Sequence, residues 1–476
     1  MLFNSLQFAG FFIIFYFLYF RLKHKLQNIM LLLASCIFYA AWDWRFLLLI
    51  FTTIITDYFC GTKIYSSAAE KARKRYLLLS IFINLSILGF FKYYNFFTHN
   101  LEILLSHFGI VIHSRLIHII LPVGISFYIF KSLSYTIDVY RKEMQPAKNF
   151  LDYALFVLYF PQLLAGPVSR AKDLLPQISK ERNLSLHKFY EGCYLIFWGI
   201  FLKVFVADNL AMIADPVFSS AAPYNGAAVL ISIYAFAFQI YCDFAGYSHI
   251  ANGLSRCMGF EAVLNFNLPY FSTNPKEFWH RWHISLSTWL RDYLYIPLGG
   301  NRKGALPTYR NLLLTMFLGG LWHGAAWTFI LWGVYHGILL IIHRMLRPLF
   351  ARISFVQNST AGKIWFWLKI IFFFHLVCLG WLIFKAGSLM QVQQMLKAVI
   401  CNFRFAWPDT LQITALKLLF FIGPLLIIQL IQYRKSDLLF ILKVPPLSRA
   451  IFYYVCFYLL VLFGVNGGKE FIYFQF

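Results

Sequence analysis

Apolar residues run through this chain in long blocks separated by short polar loops. The stretches 8–20, 76–91, 228–240, 364–384 and 451–465 are each almost wholly hydrophobic. A bilayer span needs about 20 mostly apolar residues, and several of these blocks reach that length once their flanking aromatics are counted. No stretch of about 10 residues alternates apolar and polar positions in the manner of an outer-membrane barrel. The pattern predicts an all-α, polytopic integral membrane protein with roughly ten to twelve transmembrane helices plus re-entrant segments.

The loops carry the charge. Lys63, Lys71, Arg73, Lys74 and Arg75 crowd one loop, and Arg170, Lys172, Lys180, Arg182 and Lys188 crowd another, whereas 214–226 has no Lys or Arg. Placing basic loops in the cytosol puts the N-terminus outside, makes 153–164 re-entrant and leaves 256–310 at the cytosolic side. The first apolar block is expected to be a retained span, since no cleavage-site pattern follows it. The blocks 311–321 and 325–342 are separated only by Trp322-His323-Gly324 and have basic residues at both outer ends. They predict an in-and-back hairpin with His323 at its deep end, where irregular backbone must be covered by protein or line a cavity. The tail after 465 is expected outside.

Composition supports a membrane chain: of 476 residues, 60% are hydrophobic and 13% charged. The net charge of +23 would suggest nucleic acid in a soluble protein. Here its concentration in loops is the positive-inside bias, and no nucleic-acid partner is expected. The eight cysteines show no metal-ligand or redox spacing, so neither a metal site nor a disulfide framework is expected.

Candidate chemistry sits at two places. Asn274-Pro275-Lys276-Glu277 is a helix start, with Asn as cap, Pro at the first position and Glu closing a capping box. A continuous helix from there would align Trp279, Trp282, Leu286, Leu290 and Tyr293 on one face, with Arg281, Ser285, Thr288 and Asp292 beside them. Two readings fit it: an interfacial anchor, or the wall of a pocket with His280 and His283 as working imidazoles. For His323 the readings are a core histidine bonded between helices and a proton acceptor. Gly319-Gly320 and Gly324, which permit a bend or a close approach, favour the second. A base at His323 suits acyl transfer to a hydroxyl, with the Trp322 and Trp327 indole N–H groups or an imidazole as donors to the oxyanion. His336, His343 and His375 are expected to be structural. Asp243 is expected to pair with Arg281 or Arg291, or to orient a histidine.

Several motifs together carry a resemblance. Phe278-Trp279-His280-Arg281-Trp282-His283, Tyr295-Ile296-Pro297-Leu298-Gly299-Gly300-Asn301-Arg302 and Leu321-Trp322-His323-Gly324 resemble the membrane-bound O-acyltransferases, in particular the bacterial branch that acetylates alginate or peptidoglycan. Leu121-Pro122-Val123-Gly124, Phe160-Pro161-Gln162-Leu163, Asp243-Phe244-Ala245-Gly246-Tyr247 and the ending Phe471-Ile472-Tyr473-Phe474-Gln475-Phe476 fit the same family. The resemblance covers nearly the whole chain as one membrane-embedded domain, with a catalytic core about 120–345 and C-terminal helices and tail over 365–476. It implies a funnel on each membrane face, the two meeting centrally at His323, with His323 as catalytic histidine and His283 in support. Tyr473 is implied as a possible acyl relay, because a partner peptide of the related teichoic-acid D-alanylation system ends in a similar motif. An ordinary aromatic anchor is the other reading of Tyr473.

On this resemblance Trp279, Arg281, Trp282, Arg291, Asn301 and Arg302 are candidates for binding the donor, with Lys303 and Arg310 nearby. Acetyl-CoA or another cytosolic acyl thioester is the expected donor, and no tightly bound cofactor or metal is expected. Besides membrane lipids, the expected partner is a separate periplasmic or cell-surface acetyltransferase of the SGNH type. The expected place is the bacterial cytoplasmic membrane. The rival readings are D-alanyl transfer from a carrier protein and a non-enzymatic transporter.

Overall fold

The computed structural model describes residues 1–110, 119–164, 166–352, 359–403, 408–465 and 471–472. Among them every regular element is helical. Among the described residues eight helical segments are long and apolar enough to cross a membrane, and the first, His24–Ser66, holds two helices of its own. The chain divides into two compact units: Met1–Ile196 with Ile250–Val263, and Phe197–His249 with Leu264–Phe476.

The first unit opens with α1 (Leu6–Tyr19), α2 (His24–Asp43) and α3 (Leu47–Ser66). Then come α4 (Glu70–Leu88), α5 (Tyr94–His107), α6 (Ile125–Tyr140), α7 (Phe150–Leu158), the short α8 (Phe160–Leu163) and α9 (Ala171–Ile178). α10 (Leu186–Ile200) begins in this unit. In an apolar solvent, packing between helices depends on small residues and interhelical hydrogen bonds more than on hydrophobic burial. α3, α4 and α6 are joined in this way. Buried Asp57 accepts from Ser80 Oγ at 2.6 Å and from Asn84 Nδ2 at 2.9 Å, and Ser80 Oγ lies 3.0 Å from Thr136 Oγ1. Gly61 belongs to the same seam, where a Cβ would come within 2.5 Å of the Tyr135 ring. The segment expected to re-enter, 153–164, is buried and breaks into α7 and α8 at Tyr159.

The second unit holds a π-helical turn at Phe201–Ala207, then α11 (Asp208–Phe218), most of α12 (Gly226–Cys257), α13 (Pro275–Arg281) and α14 (Ile284–Leu290). α15 (Ala305–His323) and α16 (Trp327–Arg352) follow, then α17 (Thr360–Lys385), α18 (Leu389–Cys401), α19 (Asp409–Lys435) and α20 (Pro446–Phe463). α15 and α16 form the expected hairpin, and glycine makes it tight. A Cβ at Gly320 would collide with the Phe329 carbonyl and lie 3.0 Å from the Gly333 Cα, and one at Gly333 would collide with the Met316 carbonyl. The two backbones therefore touch along this line. His323 is the last residue of α15, at the closed end of the hairpin.

Candidate active site

The helix start at Asn274 forms as the sequence predicts. Asn274 Oδ1 accepts the Glu277 N–H at 3.0 Å and Pro275 occupies the first turn. Glu277 reaches back one residue further than a capping box requires: its Oε2 accepts from the Thr273 N–H at 2.9 Å and its Oγ1 at 2.8 Å. Its other oxygen takes Arg281 Nε at 3.1 Å.

The continuous helix expected from this start does not exist. α13 ends at Arg281, Trp282 is extended (φ −104°, ψ 129°), and His283 sits in the left-handed region at φ 42°, ψ 53° before α14 begins. The cause is the preceding segment, which takes over hydrogen bonds that a helix would have kept. The Ile284 N–H donates to the Asn265 carbonyl at 2.9 Å, and Ser285 Oγ donates to Asn265 Oδ1 at 2.9 Å. Asn265 Nδ2 in turn donates to Ser248 Oγ at 3.1 Å, so the break is tied to α12. A histidine in this conformation costs on the order of 1–3 kcal/mol and persists only when its surroundings enforce it. Sequence reasoning missed Asn265 and Ser248, because nothing local marks Asn265 as a partner of Ile284 and Ser285, 19 and 20 positions on, or Ser248 as a partner of Asn265.

The break points His283 inward. It is fully buried, with the Phe244 ring 4.6 Å away at 80°, the Trp322 ring at 5.9 Å and the His323 ring at 6.4 Å. Burial pushes its pKa down to about 3, so the imidazole is neutral at pH 7, with one nitrogen able to accept a hydrogen bond and the other able to donate one. His323 is 3% exposed, between Trp322 (5.0 Å, 80°), Trp332 (5.0 Å, 87°) and Phe384 (5.5 Å, 77°). The gap between the two imidazoles is within the span of one bridging oxygen at hydrogen-bond lengths of about 2.8 Å on each side. Two histidines 40 positions apart in sequence are thus buried side by side among aromatic rings.

The indole donors change with the structure. Trp322 is buried beside His323 as expected, but Trp327 is 53% exposed, and Trp332 occupies the place against His323. Its buried Nε1 has no hydrogen-bond partner among the described residues. His336, expected to be merely structural, lies on the far side of that indole, with ring centroids 4.8 Å apart. It is stacked on Phe278 (6.0 Å, 7°) and packed against Trp279 (5.2 Å), with both ring nitrogens unpartnered among the described residues. The spacing of four between Trp332 and His336 was a readable signal that both share a helix face.

The donor-binding candidates separate into two groups. Trp279 is half-buried against Trp332 and His336. Trp282 is a core ring, 1% exposed and 4.8 Å from Trp381. Arg281 is occupied by Glu277 and the Asn267 carbonyl, and exposed Arg291 by Asp292 at 2.6 Å. Asn301 and Arg302 project from a turn at the surface. That turn needs Gly299 (φ 109°) and Gly300 (φ 56°), and Asn311 pins it by donating to the Leu298 and Gly300 carbonyls at 3.2 and 3.0 Å. Among the described residues no contact takes Arg281, Arg291, Asn301 or Arg302 to either histidine. Asp243 pairs with neither Arg281 nor Arg291: Lys203 Nζ lies 2.8 Å from its Oδ1. His375 is structural, bonded to Tyr234 at 2.8 Å and the Ile371 carbonyl at 2.7 Å. Tyr473 lies outside the described residues. A cavity of about 790 Å³ between α11, α12 and α19 is lined mainly by apolar residues and includes neither histidine.

The sequence model of the membrane-bound O-acyltransferase family matches residues 37–383. The chain belongs to this family. Among its relatives is a probable alginate O-acetylase of Pseudomonas putida, 46% identical over 84% of this chain and 80% of the relative. A peptidoglycan O-acetyltransferase of Helicobacter pylori is 37% identical over 78% of this chain and 73% of its own length. A teichoic acid D-alanyltransferase of Bacillus subtilis is more distant, 31% identical over 55% of this chain and 68% of its own. The protein is therefore a multi-pass membrane acyltransferase.

Proposed function

We propose that this membrane-bound O-acyltransferase moves an acetyl group from a cytosolic thioester, acetyl-CoA, toward an exported polysaccharide of the alginate or peptidoglycan type. The observation that carries this reading is the burial of His323 beside neutral His283 at the closed end of the α15–α16 hairpin. In the reaction His323 takes the proton of the attacking hydroxyl as its oxygen bonds to the acyl carbon. Trp322 and Trp332 indole N–H groups face the developing oxyanion, the C–S bond breaks, and the departing thiolate receives the proton from the imidazole. His283 holds the hydroxyl or the His323 ring in the right orientation. Tyr473 is the candidate hydroxyl for a covalent relay.

In the same reading Arg291, Arg302, Lys303 and Arg310 attract the phosphates of the donor at the cytosolic face. Both termini lie outside the bacterial cytoplasmic membrane, and a separate SGNH-type transferase completes delivery to the polymer. The test is acyl transfer by purified protein in nanodiscs with radiolabelled acetyl-CoA. Wild type is expected to take up label or hydrolyse the donor, His323→Ala to do neither, and Tyr473→Phe to lose covalent label. Well-folded wild type that is silent with acetyl-CoA yet active with a D-alanyl carrier protein would place the chain's activity with its more distant relatives.

A further inference from the structure

The second unit contains a buried charge cluster that the acyl-transfer chemistry does not use. Lys203, in the π-helical turn before α11, is 1% exposed, and its Nζ lies 2.8 Å from both Asp208 Oδ1 and Asp243 Oδ1. Buried carboxylates are costly unless donors meet them. One donor comes from the end of the chain: the Ile472 N–H bonds Asp243 Oδ2 at 2.7 Å, fully buried. Phe471 is buried in the same place, its ring 4.5 Å from Tyr247 and 5.7 Å from Phe244.

The same helices hold the tail at its other end. The Val465 N–H donates to the Val204 carbonyl at 3.4 Å and Asn209 Nδ2 to the Phe463 carbonyl at 2.8 Å. The two helices meet closely enough to build this socket because Gly246 lets them: a Cβ there would lie 2.8 Å from the Gly199 carbonyl. π-turns of this kind recur at functional sites, and this one carries Lys203 into the cluster. Phe244 connects the socket to the chemistry, with Phe471 on one side of it and His283 at 4.6 Å on the other.

We propose that Asp243, set by Lys203 and Asp208, is a positioning residue that docks the chain's own C-terminal tail through the Ile472 N–H and so holds the tail one aromatic ring away from His283. The inference rests on the acyl-transfer reading for its consequence and on the contacts alone for the docking. Tyr473 follows Ile472 directly in the sequence, so the socket fixes the residue before the candidate relay.

Two full-chain variants test it. Ile472→Pro removes the N–H without touching a helix, and Asp243→Asn removes the charge while keeping the shape. Each is expected to raise the rate at which carboxypeptidase releases Phe476 from protein in nanodiscs by about tenfold, the worth of one charge-assisted hydrogen bond. Each should lower kcat for acyl transfer by a similar factor with KM for acetyl-CoA unchanged, and the double variant should be no worse than either alone. Wild-type release in Ile472→Pro overturns the docking. Faster release with unchanged kcat, or additive losses, overturns the positioning. Because protease release needs no activity, silence of wild type toward acetyl-CoA sinks the acyl-transfer reading and leaves the docking result standing.

Discussion

His283 combines two costs that a non-functional residue would not be expected to keep, a left-handed backbone and a fully buried imidazole. Each leaves a measurable trace. Asn tolerates the left-handed region better than other non-glycine residues, so His283→Asn is expected to melt close to wild type while His283→Val loses a further 1 kcal/mol, roughly. The imidazole's pKa, pushed down to about 3 by burial, sets a pH dependence of known sign. Above about pH 6.5 the ring is neutral in folded and unfolded chains alike. As pH falls toward 3 only the unfolded chain takes up the proton, so stability is lost on the acid side. His283→Asn should flatten the plot of unfolding midpoint against pH between 6 and 4 by up to about 1.4 kcal/mol per pH unit. Equal slopes in the two proteins would mean the ring is not buried neutral. At the neighbouring position, Trp332→Phe keeps the ring but removes the indole N–H. It is expected to lower acyl turnover by about 10²-fold if that donor meets the oxyanion, with KM for the donor little changed.

At the level of elements, the site is a helix break presented to a helix hairpin, and each part has its own point of failure. The hairpin depends on backbone contact at Gly320 and Gly333, where an added methyl meets main-chain atoms that cannot move aside. A Cβ at Gly319 meets only the end of the Leu290 side chain, at 3.2 Å. Gly320→Ala and Gly333→Ala should therefore each cost about 1–3 kcal/mol in thermal melts in detergent and displace His323, with Gly319→Ala close to neutral. The break depends on Asn265, which bonds Ser285 on one side and Ser248 on the other. Asn265→Ala strands these partners and is expected to cost about 1–3 kcal/mol. Acyl turnover should fall further than stability alone explains, since His283 loses the contacts that enforce its conformation.

For the whole molecule, the distribution of basic loops predicts an orientation, and labelling of introduced cysteines tests it. Once exposed Cys193 and Cys401 are replaced, a cysteine at Ala68 or Arg302 should react with an impermeant maleimide only from the cytosolic side, and one at Ala221 only from the outside. Labelling of Arg302→Cys from outside would reverse the proposed donor side and with it the direction of acyl movement. The same experiment bears on the tail, which the proposed reading places outside.

The sequence alone determined what depends on local pattern. Apolar run length gave a polytopic helical protein, the Asn274–Glu277 start gave the beginning of α13, and two apolar blocks around Trp322-His323-Gly324 gave the hairpin with His323 at its turn. The motif set gave the family. What the sequence could not reveal was set by partners distant along the chain. A helical period runs unbroken from 275 to 293, yet Asn265 takes the hydrogen bonds that would have continued the helix, and that tertiary bond overrides the local preference. Asp243 lies within reach of several cations on paper. Lys203 wins because a π-turn and a glycine contact bring it to 2.8 Å, whereas Arg281 and Arg291 are satisfied by acids on their own segments. Trp332 displaces Trp327, and His336 joins the chamber, because burial is decided by which helix face the hairpin closes on. Periodicity names the residues that share a face, and only the packed structure says what that face meets.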